Sequence, residues 1–267
     1  MPKLPAPPVP APLKAPPPRP GEGNGKGGVA EGAKAAGINV VDWVDERTSL
    51  SGGARWMMFR KVPKGTNWFY TLGSATMFAF LSQAVTGVFL AMYYRPDPAG
   101  GAYESIRYVT NDVFLGQFVR GMHKWGSSVM VILVFLHMGR TFFFGAYKYP
   151  RELNWVIGVV LLILTMVMSF TGYLLPFDQR AYWATIVGVN INGTGPLIGP
   201  YLSDFLRAGP EFGATTLSRF YAIHMLLVPG ALIALISAHL YLVAKLGTTA
   251  PPWIKAEQSS ELRKAEA

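Results

Sequence analysis

The 267-residue chain has four histidines, and they fall as two pairs inside two long apolar runs. His123 and His137 lie in Met122–Phe144, and His224 and His239 lie in Phe220–Leu246. The first pair stands at i, i+14 and the second at i, i+15. An α-helix turns about 100° and rises about 1.5 Å per residue, so 14 steps bring a side chain back to within roughly 40° of its starting direction, about 21 Å along the axis. Fifteen steps overshoot by roughly 60° and climb about 22 Å. Each run therefore predicts a helix with both histidines on one face, one near each end. Two such helices facing each other stack two pairs of imidazoles, an arrangement that holds two six-coordinate haems one above the other across a bilayer. A single histidine in an apolar helix is explained as well by a hydrogen bond to a neighbouring helix. Four at matched spacing, with none elsewhere, are not.

Hydrophobic residues make up 51% of the chain, which points to a membrane protein. Four stretches, Trp68–Tyr94, Met122–Phe144, Trp155–Leu175 and Phe220–Leu246, reach the roughly 20 residues a hydrocarbon core demands. They have almost none of the polar faces that soluble helices need. The fold predicted is an all-α membrane protein, a four-transmembrane-helix bundle over residues 67–247 enclosing two stacked b haems.

The formal net charge of +9 resembles a nucleic-acid signal only until the charges are placed. Lysine and arginine crowd Lys3 to Lys64, the loop between spans two and three (Lys148, Arg151) and the tail (Lys255, Arg263, Lys264). Those regions share one side of a four-span topology. The positive-inside rule makes that side cytoplasmic, with both termini inside, and leaves no need for a nucleic acid. The setting expected is the cell membrane, with a thylakoid-type membrane as the alternative. There is no cysteine, which excludes disulfides, Cys-ligated iron–sulfur clusters and any thioether-linked haem in this chain.

Residues 1–37 are rich in proline, glycine and alanine and are expected to form a disordered cytoplasmic tail. They lack the apolar core of a signal peptide. Within residues 38–66, Ile38, Val41, Trp43 and Val44 can share one side of a short helix, opposite Asp42, Asp45, Glu46 and Arg47. These residues predict a short amphipathic helix, followed by a linker, lying on the cytoplasmic membrane surface; packing against a partner subunit would give the same pattern. Residues 248–267 form a second cytoplasmic tail.

Gly73 and Gly87 of span one repeat the i, i+14 interval, as do Gly158 and Gly172 of span three. Glycine costs a helix about 1 kcal/mol, so a repeated pair needs a reason. Close helix packing is one; clearing a flat macrocycle at the two histidine levels is another, favoured by the shared interval. Arg120, Arg140 and Arg219 sit three to five residues from a histidine. There they can pair with haem propionates, although interfacial snorkelling accounts for any one of them equally well. Between spans three and four, Pro176 to Trp183 and the Gly/Pro-rich stretch after it predict short surface helices over a cavity. Pro229 predicts a kink in span four.

These motifs carry a family resemblance over about residues 38–253. They are Gln83-Ala-Val-Thr-Gly87, Tyr93-Tyr-Arg-Pro96, Arg120-Gly-Met-His-Lys-Trp125, His137-Met-Gly-Arg140, Pro150-Arg-Glu-Leu-Asn-Trp155, Thr171-Gly-Tyr-Leu-Leu-Pro176 and Thr216 to His224. The sequence resembles the cytochrome b family of quinol-oxidising complexes, and most closely the b6 type, the N-terminal half of the split form. The longer second histidine interval is of that type. The resemblance implies that His123 and His224 bind an outer haem, and that His137 and His239 bind an inner one. It implies quinol oxidation outside, beneath Tyr173 to Trp183, and quinone reduction inside, where Lys245 would line the site. Protons would be released outside and taken up inside. The quinol is thus substrate, and no residue of this chain is assigned a catalytic role of its own. Implied partners are a Rieske iron–sulfur protein, a separate subunit with the C-terminal half of cytochrome b, and a cytochrome c-type or copper-protein acceptor, in a homodimeric complex. Thr71 stands where b6-type chains carry the cysteine for a third haem, so no covalent haem c is expected. A di-haem b membrane anchor of a quinone-linked dehydrogenase is the alternative function. The paired glycines and the Pro176–Trp183 loop argue against it.

Overall fold

The computed structural model describes residues 40, 42–52, 59 and 63–254. The expected tail 1–37, with Ile38 and Val41, and most of the expected tail 248–267 lie outside them. The chain divides into two units, residues 1–60 and 61–267. In the first, residues 42–48 are helical. Arg47 lies over the Trp43 ring at 4.1 Å and donates to its carbonyl at 2.7 Å. Hydrogen bonds from Ser51 hold the Asp45 carboxyl below the ordinary carboxylate pKa.

Among its described residues the second unit is built of helices joined by turns and loops. A single 3₁₀ turn, Trp68–Thr71, is capped by the Asn67 side chain, which accepts from the Phe69 N–H at 3.2 Å. It leads into α1 (Leu72–Ala91), α2 (Gly101–Asn111), α3 (Gly116–Phe143), α4 (Glu152–Leu174), α5 (Gln179–Gly193), α6 (Gly199–Arg207) and α7 (Ala214–Ala222). A π-helical turn, Ile223–Leu227, then joins α7 to α8 (Val228–Leu246). Four helical runs are long and apolar enough to cross a membrane: Trp68–Ala91, Gly116–Phe143, Glu152–Leu174 and Ala214–Leu246. They are the four spans expected: Trp68 and Leu246 coincide with the expected limits, and the other boundaries move by one to six residues. The second begins earlier than its apolar run because the polar turn Gly116–Gly121 is also helical.

The spans pack as two antiparallel pairs, α1 with α3 and α4 with α8. Arg151, just before α4, donates from Nε to the Gly247 carbonyl at 3.2 Å and from Nη2 to the Leu246 carbonyl at 3.1 Å. A cation thus satisfies the unpaired carbonyls at the C-terminus of α8, where the helix dipole favours it. At the opposite end, α2, α5, α6 and α7 form a roof. Its core is Ala102, Leu174, Val189, Leu206, Leu217 and Phe220. The Asp178 side chain caps α5 by accepting from the Ala181 N–H at 2.8 Å. The Tyr94 hydroxyl ties α1 to α4 through a 2.6 Å bond to the Leu175 carbonyl. Surface helices α5 and α6 fulfil the expectation for the loop after Pro176, whereas α2 had no counterpart in the sequence reading. A second cluster, Ile223, Val228 and Leu232, packs against Leu161, Leu164 and Met168 midway down α4.

Candidate haem-binding site

The four histidines form two facing pairs across the space between α3 and α8. His123 and His224 lie 6.4 Å apart between ring centres, with planes at 78°. His137 and His239 lie 6.4 Å apart with planes at 77°. The first pair is at the roofed end and the second at the open end. Two metal–imidazole bonds of about 2 Å, with about 1.1 Å from each nitrogen to its ring centre, require roughly 6.2 Å. Both pairs therefore span the distance of one metal with two axial imidazoles. Among the described residues no group of three or more His, Cys, Asp or Glu could hold a metal. The ion accommodated is one whose remaining ligands come from elsewhere, as the four nitrogens of a porphyrin would supply.

The glycines lie at these levels. Each faces the edge of a histidine ring on the paired helix. A Cβ at Gly87 would lie 3.3 Å from His123 Cε1, and one at Gly73 would lie 3.1 Å from His137 Cε1. At Gly172 the distance to His224 Cε1 is 2.5 Å, and at Gly158 it is 3.7 Å to His239 Cε1. The gaps seen here are filled by imidazoles. The absent side chains let α1 approach α3, and α4 approach α8, closely enough for the rings to slide past.

Threonines complete the roofed level, and the sequence reading missed them. Thr86 Oγ1 donates to the Ser82 carbonyl at 2.7 Å, so it accepts from His123 Nδ1–H at 2.9 Å. Thr171 Oγ1 likewise donates to the Val167 carbonyl at 2.8 Å and lies 3.3 Å from His224 Nδ1, which also meets the Met168 carbonyl at 3.0 Å. Both Nδ1 atoms are thereby donors, leaving both Nε2 lone pairs for a metal. The signal was the Thr-Gly repeat: each threonine immediately precedes a site glycine. At the open end the residues before Gly73 and Gly158 are Leu72 and Ile157.

The open end has a different character. Among the described residues, the buried side-chain polar atoms lacking a hydrogen bond belong to Arg140, Asn154, His239 and Thr249. All four residues are at this end. Arg140 stacks on Tyr70 at 3.8 Å and lies 5.2 Å from the Phe144 ring centre, with Nε and Nη2 buried and unpartnered. A buried guanidinium without a counter-ion is costly, so this pocket fits an anionic group. The other two arginines already have partners. Arg120 donates to Thr110 Oγ1 at 3.2 Å, and Arg219 donates to the Phe205 carbonyl and lies over the Phe205 ring at 4.9 Å. Lys245 is exposed on the last turn of α8, 5.9 Å from the Tyr241 ring centre.

The family model for cytochrome b/b6/petB matches residues 57–247, most of the chain. The chain belongs to the cytochrome b/b6 family. It is 44% identical over 218 residues to the menaquinol:cytochrome c reductase cytochrome b subunit of Geobacillus thermodenitrificans, covering 79% of this chain and 97% of that one. It is 42% identical over 213 residues to cytochrome b6 of Heliobacterium modesticaldum, covering 79% of this chain and all of the relative. Among solved structures, a chain of a hyperthermophilic respiratory Complex III superposes with a TM-score of 0.71 at 28% identity, over 84% of this chain and 64% of that one. This member of the cytochrome b/b6 family is a multi-pass membrane protein, and family membership implies haem b and quinone binding. The two histidine pairs, with their glycine clearances and with Nδ1 engaged by hydrogen bonds at the roofed level, are a fitting frame for haem.

Proposed function

We propose that this chain is the di-haem cytochrome b subunit of a proton-translocating quinol:cytochrome c oxidoreductase. The observation that carries the reading is the pair of equivalent histidine couples, each 6.4 Å between ring centres, stacked along one bundle. When bound, two non-covalent b haems would supply one-electron carriers at two depths of the membrane, each held by one histidine pair. His123 and His224 hold the haem at the roofed end, and His137 and His239 hold the other. The i, i+14 interval in α3 separates the levels by about 21 Å, far enough to carry charge across most of a hydrocarbon core about 30 Å thick.

The roofed end is the outer, quinol-oxidising face, and both termini are cytoplasmic, in keeping with the lysine and arginine bias. Two relatives are named menaquinol:cytochrome c reductase subunits, which makes menaquinol the quinol to test first and a cytochrome c-type subunit the acceptor. Phe177, held at a left-handed φ of 48° directly before the α5 cap, turns the chain beneath the roof where a quinol ring would sit. At the open end, Arg140 pairs with a haem propionate and Lys245 lines the quinone-reducing site. Arg120 and Arg219 assist the propionates of the outer haem while bracing α2 and α6. A Rieske protein and a subunit with the C-terminal half of cytochrome b complete a homodimeric complex in the cell membrane. Thr71, whose hydroxyl is spent on the Trp68 carbonyl at 2.6 Å, offers no thiol for a third haem.

The test is a pyridine haemochrome spectrum with a redox titration and low-temperature EPR of the purified complex. Two b haems per chain at separate potentials are expected. Imidazole planes near 77–78° give strongly anisotropic low-spin ferric signals rather than the rhombic trio of parallel rings. A covalent c-type signal on this chain would overturn the reading of Thr71, and absence of haem would overturn the function.

A further inference from the structure

The two histidine intervals are unequal, i, i+14 in α3 and i, i+15 in α8 with its π-turn, yet both pairs close to the same 6.4 Å. On a regular α-helix the extra residue would rotate His239 by about 100° relative to His224. Resting on the haem-binding reading above, we propose that the π-turn Ile223–Leu227, seated against Pro229, absorbs this residue and sets the register between the two haem levels, with Pro229 as its positioning residue.

The hydrogen bonding supports this. The Val228 N–H bonds to the Ile223 carbonyl, five residues back, the signature of a single inserted residue. Pro229 has no N–H, and its ring would clash with the carbonyl four residues earlier, that of Met225, in a straight helix. Widening the turn just before Pro229 relieves that clash. The departure from regular α-helix beside Pro229 takes the form of a π-turn. With one residue absorbed, the i, i+15 interval acts as 14 helical steps, and the roughly 40° undershoot and about 21 Å separation of α3 are reproduced on α8. The burial pattern agrees: His224, Val228 and Leu232 are 7%, 3% and 1% exposed, whereas Leu226 and Leu227 are 76% and 63% exposed. The additional residue is carried on the outward side of the turn.

Two single-residue deletions decide the matter, because both shorten the α8 interval to that of α3 at an exposed position. Deleting Leu227 removes the residue that the π-turn absorbs. Deleting Ala234 leaves the turn in place and rotates His239 by about 100°. Straightening the π-turn to compensate would swing Val228 and Leu232 out of their contacts with α4. Both chains are expressed in the complete complex, and haem b per chain and the two low-spin EPR signals are measured. The expected result is two haems and both signals for the Leu227 deletion, with loss of the open-end haem for the Ala234 deletion. Two haems in both variants would overturn the inference. So would fewer than two in the Leu227 deletion, including failure of that chain to accumulate. Fewer than two in the unaltered complex would instead count against the di-haem reading.

Discussion

Replacing Gly172 with alanine is expected to strip the haem from the roofed level and spare the other. The new Cβ would lie 2.5 Å from His224 Cε1 and 3.0 Å from Nδ1, about 1 Å inside the roughly 3.5 Å contact distance for carbon. The ring cannot swing aside, because its Nδ1 is held by the Met168 carbonyl at 3.0 Å and its residue is 7% exposed. Either α4 separates from α8, or the ring is driven towards His123 and narrows a span already matched to two metal–nitrogen bonds. Overpacking of this kind costs about 1–3 kcal/mol, which is about 5- to 150-fold in haem affinity. The matched control is Gly158→Ala, whose Cβ would meet His239 Cε1 at an ordinary 3.7 Å. Both substitutions also favour the helix by up to about 1 kcal/mol, so a difference between them isolates the steric effect. Haem content per chain and separate redox titration of the two haems are the readouts. Two haems at unchanged potentials in Gly172→Ala, or greater damage from Gly158→Ala, would refute the reasoning.

Thr86→Val removes the acceptor of the His123 Nδ1–H. A hydrogen bond there makes the imidazole a stronger donor to ferric iron, so its loss should raise the midpoint of the roofed haem. A bond of about 0.5–1.5 kcal/mol corresponds to about 20–60 mV for one electron, and a redox titration with no shift would remove Thr86 from the site. Arg140→Gln should weaken or release the open-end haem alone, since a paired buried cation is lost; unchanged content and potential of that haem would show that its propionate is held elsewhere. Tyr94→Phe deletes the 2.6 Å bond to the Leu175 carbonyl, and about 1–3 kcal/mol of roof stability should go with it, read as a lower temperature of haem release. Burial and the neighbouring Tyr221 phenol push the Tyr94 pKa up. Folding therefore favours the protonated phenol: its contribution is full below the ordinary tyrosine pKa of about 10 and declines as pH rises beyond it. Wild-type and Tyr94→Phe complexes should converge only at strongly alkaline pH, and equal release temperatures at pH 7 would exclude the role.

Much of the haem frame was legible in the sequence because its components obey helical periodicity. His123 and His137, Gly73 and Gly87, and Gly158 and Gly172 repeat at an interval that four turns of helix nearly close. An apolar run of membrane length leaves the backbone few alternatives to helix. The pairing of α1 with α3 and α4 with α8 was not legible, so the histidine ring edge that each glycine faces could not be named. Each repeat fixes a face and a height, but what fills the gap depends on which helix lies opposite. Thr86 and Thr171 escaped notice for a related reason, since a threonine in an apolar helix ordinarily bonds its own backbone. Its second contact exists only across a helix pair.

Four spans, two histidine levels, a roof after Pro176 and the lack of a thiol at Thr71 could all be read along the chain, because each follows from local composition or from periodicity along one helix. Which arginines are engaged depends instead on contacts between helices. Arg219 is committed to Phe205 and Arg120 to Thr110, while Arg140 is left buried with unpartnered nitrogens. Such contacts also decide how the longer histidine interval on α8 comes to match the shorter one on α3. Periodicity predicts a roughly 100° misfit between the two intervals, and only the π-turn before Pro229, held by packing against α4, removes it.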